Sequence, residues 1–488
     1  MGVLIFFFLL QVNVFPQNAA LDRYTVIPPL GHVKSIAASN MQVFALSDDY
    51  LLFIDKHDFR LNNALYFDCA PQLVGYDHYT SDLWILCREK ILRFRTMTFN
   101  LQEFPLHFPA ERFAIDAGEL YLEDARNGDK FALDKVTGMI SRISAFPVNI
   151  YWHRKTIEGD ITKHPFLNPY YFVDDVHFSQ TPFVQYPITA VYDDGMHLFV
   201  GTDQYGVLKY NKISWQNERI VNGPLDLNIS RNRMIEGKIA FVSRSGLSYF
   251  DPETGDWTYQ RFRSPLIDLV TFNGAVHVAR QNSVLVTEGT LESPRGSFDE
   301  NILSISSDDE NIYVGTRSGA FSIAGGTDSP APFGPDRHAV HIIYPARHVV
   351  YVGGEMGMYG YDREAKTWST LLPFGVKDIV ELADDIYALG TNNQLIRYPG
   401  ADRDTDTVRP DTNWSLLPYF NIYDIDTDGT VLYCATYSGM YYYEPVGGSY
   451  HIIYNLPRMN FKQVFVAGGM LLAKSTDLVF SLPLEYRD

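Results

Sequence analysis

One short pattern recurs along the chain and limits what the chain can fold into. The segment NIYVGTRSGAFSIAG, beginning at Asn311, has the pattern of a strand, a tight turn over Arg317–Gly319 and a returning strand. Related segments begin at Val43, Leu83, Leu120, Leu198, Ile239, Val276, Ile312, Val350, Ile386, Leu432 and Leu471. The starts are 36 to 46 residues apart, with one gap of 78 residues after Leu120. A period near forty residues, built only of strands, indicates β-sheets that bury their faces against one another.

Each repeat is predicted to contain four strands. In the repeat from Asn301, ILSISS is the innermost strand, DDEN a turn, IYVGT the second strand and AFSIAG the third. This pattern predicts an all-β protein, a β-propeller of about eleven to twelve four-stranded blades. Because propellers typically close with about four to eight blades, we expect two propeller rings.

The non-repeating stretch divides the predicted rings. We expect three blades in 31–146, an aromatic connection in 147–187 and about eight blades in 188–486. Three blades are too few to close a ring. Either 147–187 adds strands to the first ring, or later blades return to complete it.

The best repeats resemble the propellers of bacterial two-component regulators, whose blades carry a V-G-T step followed by a glycine, an aliphatic residue and an aromatic one. FVGTDQYGVLKYN (Phe199–Asn211), YVGTRSGAFSI (Tyr313–Ile323) and YVGGEMGMYGYD (Tyr351–Asp362) carry this resemblance. It implies a periplasmic or secreted, sensor-like propeller. The sequence shows blade motifs without kinase modules, so we expect a free-standing propeller.

Charge and the N-terminal residues indicate where the protein works. The formal net charge of −18 argues against a nucleic-acid partner, which requires a basic surface. Residues 1–20 have an apolar run and end in Ala19 and Ala20, which predicts a secretory signal peptide. The later sequence has no run of about 20 apolar residues, so we expect no membrane span in the mature chain. The predicted location is periplasmic or secreted.

Cysteines and acidic loops suggest few special sites. Cys69 and Cys87 could pair in an oxidising compartment, but we expect buried thiols, because sequence does not set their distance. DIDTDG, from Asp424 to Gly429, resembles the start of a calcium loop but lacks its twelfth-position Glu, and we expect a hairpin turn. No cofactor is predicted. Calcium is the one alternative, with four candidate ligands in a loop that we expect to be a solvated surface: Asp402, Asp404, Asp406 and Asp411.

The aromatic connection is the candidate ligand-binding segment, because propeller function lies in the parts that do not repeat. Aromatic side chains beside carboxylates are common in sugar-binding surfaces, although they also pack connections onto a rim. The candidate residues are Trp152, His153, Arg154, Tyr170, Tyr171, Asp174 and Asp175.

Three functions are compatible with these motifs, which contain no catalytic signature. The first is an exported, non-enzymatic propeller that binds a small ligand, a glycan or an envelope protein. The second is an assembly scaffold for an envelope complex, which predicts no concave polar site. The third is a polysaccharide-acting enzyme, which predicts acidic and basic residues from different blades in one central pocket.

Overall fold

The computed structural model describes residues 24–173, 184–220, 222–262, 264–288, 291–399, 414–418 and 420–487. Within them the fold is almost entirely β-strand. The first nineteen strands are β1 Thr25–Ile27, β2 Val33–Ala38, β3 Gln42–Ser47, β4 Tyr50–Asp55, β5 Leu61–Tyr66, β6 Leu73–Asp77, β7 Asp82–Leu86, β8 Lys90–Arg95, β9 Asn100–Pro105, β10 Ala110–Ile115, β11 Glu119–Asp124, β12 Lys130–Asp134, β13 Ile140–Ile143, β14 Trp152–Arg154, β15 Tyr170–Val173, β16 Val184–Asp193, β17 His197–Thr202, β18 Val207–Asn211 and β19 Asn217–Ile220. A one-turn helix, α1 Glu158–Ile161, lies between β14 and β15.

The remaining strands occur at similar intervals along the chain. They are β20 Ile229–Ile235, β21 Lys238–Ser243, β22 Gly246–Phe250, β23 Trp257–Arg261, β24 Asp268–Phe272, β25 Ala275–Ala279, β26 Ser283–Glu288, β27 Leu291–Ser297, β28 Ile302–Ser307, β29 Asn311–Thr316, β30 Gly319–Ala324, β31 Ala331–Asp336, β32 Val340–Pro345, β33 Val349–Gly354, β34 Met358–Asp362, β35 Thr367–Leu372, β36 Val376–Leu382, β37 Asp385–Gly390, β38 Leu395–Tyr398, β39 Ser415–Leu416, β40 Ile422–Thr427, β41 Leu432–Thr436, β42 Gly439–Glu444, β43 Ser449–Ile452, β44 Gln463–Ala467, β45 Met470–Lys474 and β46 Val479–Pro483. A short 3-10 helix, Leu484–Tyr486, follows β46.

In the described part of the chain, these strands form eleven sheets, nine of four strands and two of five. The chain divides into two compact units. The first contains Leu30–Val173 and Gln185–Asn222 and carries four sheets; the second contains 24–29 and 223–487 and carries seven. The repeated four-stranded antiparallel sheets confirm the predicted all-β propeller fold.

The seven sheets of the second unit follow one another in cyclic order. The innermost strands β20, β24, β28, β32, β36, β40 and β44 each contact the next along the chain. Gln463 on β44 closes the cycle, because its Nε2 donates to the carbonyl oxygen of Ser230 on β20 at 3.3 Å. The last sheet takes its outer strand from the start of the chain: β1 pairs with β46, with Thr25 opposite Ser481.

The structure corrects the predicted boundaries of the first unit. The stretch 147–187 is not only a connection, since β14 pairs with β10 and β15 lies beside β16. The sheet that contains Leu198 was predicted to belong with the later blades, but it groups with the first unit. The physical reason is contact with the first sheet, because β17 packs against β2 and Thr189 Oγ1 donates to the carbonyl oxygen of Val33 at 2.6 Å.

The glycine of the V-G-T step sets how closely neighbouring sheets approach. A Cβ added to Gly315 on β29 would lie 2.6 Å from the carbonyl oxygen of Val340, on the innermost strand of the next sheet. A Cβ on Gly353 would lie 2.9 Å from Cγ1 of Val376, one sheet further on. The threonine of the step closes the turn, because Thr316 Oγ1 donates to the carbonyl oxygen of Gly319 at 2.9 Å. The motif therefore encodes sheet packing.

A carboxylate in the first turn links one sheet to the next. Asp308 Oδ2 accepts a hydrogen bond from the hydroxyl of Tyr313 at 2.8 Å and lies 2.7 Å from Nη2 of Arg363, which belongs to the following sheet. Asp428 accepts from Tyr433 in the same way, at 2.9 Å. Turn carboxylates thus join sheets as well as closing hairpins.

In the first unit the equivalent link is fully buried. Lys135 Nζ lies 2.6 Å from Asp77 Oδ2, and the two side chains are 3% and 0% exposed. Trp84 Nε1 donates to the same carboxylate oxygen at 3.4 Å, and the backbone N–H of Tyr79 donates to Oδ1 at 2.9 Å. Burial raises the pKa of Asp77, but the bonds from Lys135 and Tyr79 more than offset this, so the pKa is lowered.

The expectation of free thiols at Cys69 and Cys87 was wrong. The two residues form a disulfide with their Cα atoms 5.7 Å apart, inside the core shared by the first two sheets. Cys69 lies in the loop between β5 and β6, and Cys87 directly follows β7. The packing of the first sheet on the second brings them together, which the sequence does not display. Cys434 is a free, buried thiol.

We predict that Lys135→Ala lowers the free energy of unfolding by about 3–5 kcal/mol, because it leaves the Asp77 charge buried and unpaired. Chemical denaturation of the purified chain measures this change. Lys163→Ala is the matched control, since Lys163 pairs with Asp160 on the surface and should change stability by less than about 1 kcal/mol. Equal effects of the two substitutions would contradict the structural role given to Lys135.

Candidate functional site

The innermost strands of the second unit enclose a cavity of about 410 Å³, a volume typical of small-molecule sites. All seven of them contribute side chains to its wall. Polar and charged residues of the wall are Ser230, Arg231, Asn232, Arg233, Thr271, Ser306, Ser307, Tyr344, Asp378, Asp424, Asp426 and Gln463. The cavity is therefore concave, central and mixed in charge.

A β-bulge near the start of an innermost strand re-aims the residue that follows it. The pairing register shifts between Ile229 and Arg231 on β20 and between Val376 and Asp378 on β36. It shifts again just before Asp424 on β40. Three charged residues thus occupy equivalent positions in three sheets, and all three line the cavity.

The acidic wall is formed by β36 and β40. Asp424 Oδ2 accepts a hydrogen bond from the backbone N–H of Val464 at 2.9 Å, and Asp426 Oδ2 accepts from Val466 at 2.7 Å. These two carboxyl groups therefore join β40 to β44. Asp378 lies within hydrogen-bonding reach of Asp424.

Protein surrounds these carboxyl groups closely, although they face the cavity and keep some accessible surface. Burial raises the pKa of Asp426 to about 7, and its hydrogen bonds from Val466 and Thr427 only partly oppose this. Burial, followed by the neighbouring Asp378, raises the pKa of Asp424 well above its ordinary value. Asp426 therefore holds a proton at a pH where ordinary aspartates are ionised.

The basic wall is formed by β20. Arg233 makes two bonds to Asp268, from Nε to Oδ1 at 3.1 Å and from Nη2 to Oδ2 at 2.8 Å. The Asp268 charge raises the pKa of Arg233, which remains cationic. Arg231 lies close enough to the acidic wall for its charge to lower the pKa of Asp424, against the larger effect of burial.

Three buried polar atoms in the wall have no hydrogen-bond partner among the described residues. They are Asn232 Oδ1, Ser306 Oγ and Gln463 Oε1, from three different sheets. A buried polar atom without a partner is unfavourable by about 1–3 kcal/mol. All three side chains line the cavity, so a turn of any of them toward a ligand hydroxyl group would give its buried atom a partner.

The five predicted ligand-binding residues that the structure describes lie in the first unit, and none of them lines this cavity. Trp152 lies under the guanidinium of Arg112, 4.5 Å from the ring centroid. Arg154 Nη2 donates to Asp160 Oδ1 at 2.9 Å. These residues brace the inner side of their sheet, and their role in ligand binding stays a prediction.

The other residues of the predicted segment are dispersed. Tyr170 is about half exposed, and the ring of Tyr171 lies 5.3 Å from that of Tyr205. His153 stacks on Phe113 with ring centroids 4.9 Å apart. Asp174 and Asp175 lie outside the described residues.

The interpretation of DIDTDG as one hairpin turn was wrong in part. Asp428 and Gly429 occupy the turn, but Asp424 and Asp426 lie on β40 and face the cavity. Their two-residue spacing is the strand period, which was the available signal. No group of three or more metal-binding side chains occurs in the described ranges, and Asp402, Asp404, Asp406 and Asp411 lie outside them.

The helices of the described ranges are short, and none has the length and apolar character needed to span a membrane.

The sequence matches no protein-family model and no curated protein. Solved structures with similar folds include the extracellular domain of BT4673 from B. thetaiotaomicron, named as a hybrid two component system, at 12% identity and TM-score 0.43, over 92% of this chain and 70% of that one. PorZ, a surface component of the type-IX secretion system of Porphyromonas gingivalis, aligns over 94% and 87% at 11% identity and TM-score 0.33. BamB from Moraxella catarrhalis aligns over 60% and 95% at 14% identity and TM-score 0.40.

The first of these neighbours is of the two-component type that the blade motifs resemble. At such identities and TM-scores, the neighbours carry no conclusion about ligand, partner or activity.

The raised pKa of Asp426 predicts a specific pH dependence of stability. Between about pH 4 and pH 7, the folded state keeps a proton that the unfolded state loses, so this stabilisation is complete below pH 4 and is lost as the pH rises to about 7. Its size is up to about 4 kcal/mol. Asp426→Asn should remove this part of the pH dependence in denaturation experiments from pH 4 to 8.

Asp428→Asn is the matched control. Burial raises the pKa of Asp428, but hydrogen bonds from Thr430 and Val431 more than offset this, so its pKa is lowered. Its stabilisation is therefore lost at low pH, and the slope between pH 4 and 7 should survive this substitution. An unchanged slope in Asp426→Asn would contradict the assignment.

Proposed function

We propose that this protein is an exported, non-enzymatic β-propeller that recognises a hydroxyl-rich ligand, such as the end of an oligosaccharide, in the cavity of its second unit. The observation that carries this proposal is the convergence of hydrogen-bonding side chains from separate sheets on one concave site. The side chains of Asn232, Ser306 and Gln463, each with a buried polar atom that lacks a partner, line this site beside the carboxyl groups of Asp378 and Asp424.

The disulfide between Cys69 and Cys87 supports the proposed location. Disulfides form and persist in the periplasm and outside the cell, and they are rare in the cytosol. The predicted signal peptide in residues 1–20 agrees with this placement, so the ligand would be met in the periplasm or beyond it.

Recognition is favoured over catalysis by the bonds of the acidic wall. Asp424 and Asp426 each accept a backbone N–H of the neighbouring strand, so these carboxyl oxygens have a structural task. A general acid must instead have its proton aimed at the substrate.

The second candidate is a polysaccharide-acting enzyme. A specific observation favours it: acidic and basic groups from different sheets share one pocket, and Asp426 has a pKa of about 7, as general acids often do. The scaffold alternative is weakened by the same cavity, because it predicted no concave polar site.

We predict that a panel of neutral oligosaccharides contains at least one that raises the melting temperature of the full chain. A ligand at 100 times its dissociation constant adds about 2.7 kcal/mol of stability. Asn232→Ala and Gln463→Ala should each weaken binding by roughly tenfold, the equivalent of one hydrogen bond. The proposal would be contradicted if no oligosaccharide raised the melting temperature, or if both variants bound as tightly as the unmodified chain.

Asn228→Ala is the matched control, because Asn228 is exposed, immediately precedes β20 and does not line the cavity. Its affinity should equal that of the unmodified chain. The same samples, incubated and examined for shortened products, separate the two candidates: recognition predicts intact oligosaccharides. Cleavage that Asp378→Asn abolishes would establish the enzyme instead.

A further inference from the structure

The first unit has a central pocket of its own, of about 280 Å³. Aromatic side chains from three of its four sheets line this pocket: Tyr76, His78, Tyr79, Tyr151, His153 and Tyr192. The short strand β14 brings in His153, and Tyr151 directly precedes that strand. The chain thus adds a fifth, innermost strand to one sheet, and that strand supplies part of the pocket wall.

The rings of this aromatic pocket hold one another in place. Tyr76 and His78 meet edge to face with centroids 4.9 Å apart, and Tyr151 meets His153 in the same way at 5.2 Å. His153 is itself stacked on Phe113. Rings fixed in this way lose little conformational entropy when a ligand binds.

Small residues make room for the pocket. A Cβ on Gly75 would lie 2.8 Å from the ring atoms of both His153 and Phe113, so glycine is required for His153 to reach its position. Ala37 and Ala38 complete the wall from the first sheet and are buried. Small residues on β6 and β2 therefore leave the space, and His153 from β14 forms part of its wall.

Two of the tyrosines that line the pocket are exposed to solvent. Tyr79 is 66% exposed and Tyr151 is 68% exposed. Large aromatic side chains that remain exposed beside a concave site are typical of binding surfaces. Each of these two rings therefore keeps exposed surface that a ligand can contact.

The charges around the pocket are already paired. Asp193 lies 2.8 Å from Lys212 Nζ, and Asp160 lies 2.9 Å from both Arg154 and Lys163. The site therefore offers no unpaired carboxylate from these pairs to a cation.

Two further features favour a neutral ligand. The ammonium of Lys135 already lies 5.5 Å from the ring centroid of Tyr79, so this ring has a cation partner before any ligand binds. Burial and the neighbouring His78 lower the pKa of His153 to about 4, so His153 carries no charge for an anion at neutral pH.

We propose that this aromatic pocket is a second binding site, one that holds the ring of a neutral sugar against Tyr151 and Tyr79. The apolar face of a pyranose stacks on the tyrosine rings, and its hydroxyl groups face the polar edges of the wall. This site is in a different unit from the cavity of the proposed function and stands on separate residues. It also gives a purpose to the strand that departs from the repeat.

A glycan array probed with the full chain tests this inference. We expect binding to at least one neutral oligosaccharide, weakened about tenfold or more by Tyr151→Ala and by Tyr79→Ala. Tyr151→Phe should bind nearly as well as the unmodified chain, because it keeps the stacking ring. Tyr437→Ala, at a tyrosine of the second unit that is equally exposed, is the matched control and should have no effect.

Each other outcome overturns the inference. Absence of any neutral glycan signal, or signals that survive both alanine substitutions, would exclude a sugar site at these tyrosines. Competition by tetramethylammonium would show a cation site instead. Asn232→Ala separates the two cavities, since a signal lost in that variant and retained in Tyr151→Ala belongs to the second unit.

Discussion

The approach of one sheet to the next is set by residues without bulk, and the rest of the structure depends on it. Gly315 and Gly353 leave room for the innermost strand of the following sheet, so second strands and innermost strands interlock around each unit. No single sheet of this kind buries both faces alone. Because every sheet borrows its core from its neighbours, the innermost strands are held at the centre and their side chains converge.

That convergence explains why charged residues occur at the centre of a packed protein. Asp424 and Asp426 have two kinds of contact: they accept hydrogen bonds from backbone N–H groups of β44, and they face the cavity. Their raised pKa values follow from the same burial that makes them effective links between strands. Asp77, at the end of β6, behaves in the opposite way. Its pKa is lowered, since a buried lysine keeps it ionised. The pKa of the carboxyl group is therefore raised for Asp424 and Asp426 at the cavity and lowered for Asp77 in a sheet-to-sheet link.

Local pattern was enough to predict the all-β fold and the repeated hairpins. The hairpin from Asn311 to Ala324 has the two predicted strands, with its turn at Arg317 and Ser318 because Gly319 already belongs to the returning strand. Ile302–Ser307 is the innermost strand as expected. Long-range features were not accessible in this way. The Cys69–Cys87 disulfide, the grouping of Leu198 with the first unit and the addition of β14 to the β10 edge all depend on which sheets meet.

The residues of the candidate sites were likewise predictable only where local pattern was sufficient. Asp424 and Asp426 were read as part of a turn because the carboxylates continue into Asp428 without a break. Only the assignment of β40 as an innermost strand places them at the cavity. His153 was predicted as a site residue from the aromatic segment that carries it, and it does line a pocket, although Trp152 beside it does not. Strand alternation, which aims neighbouring side chains to opposite faces, accounts for that difference.

The central claim is that the innermost strands of the second unit form a ligand site. Hydrogen exchange followed by mass spectrometry, with and without a pool of neutral oligosaccharides, tests it most directly. The account predicts slower exchange in peptides that cover Ile229–Ile235, Val376–Leu382 and Ile422–Thr427. Protection confined to the outer strands of the second unit, or no protection anywhere in it, would contradict the claim.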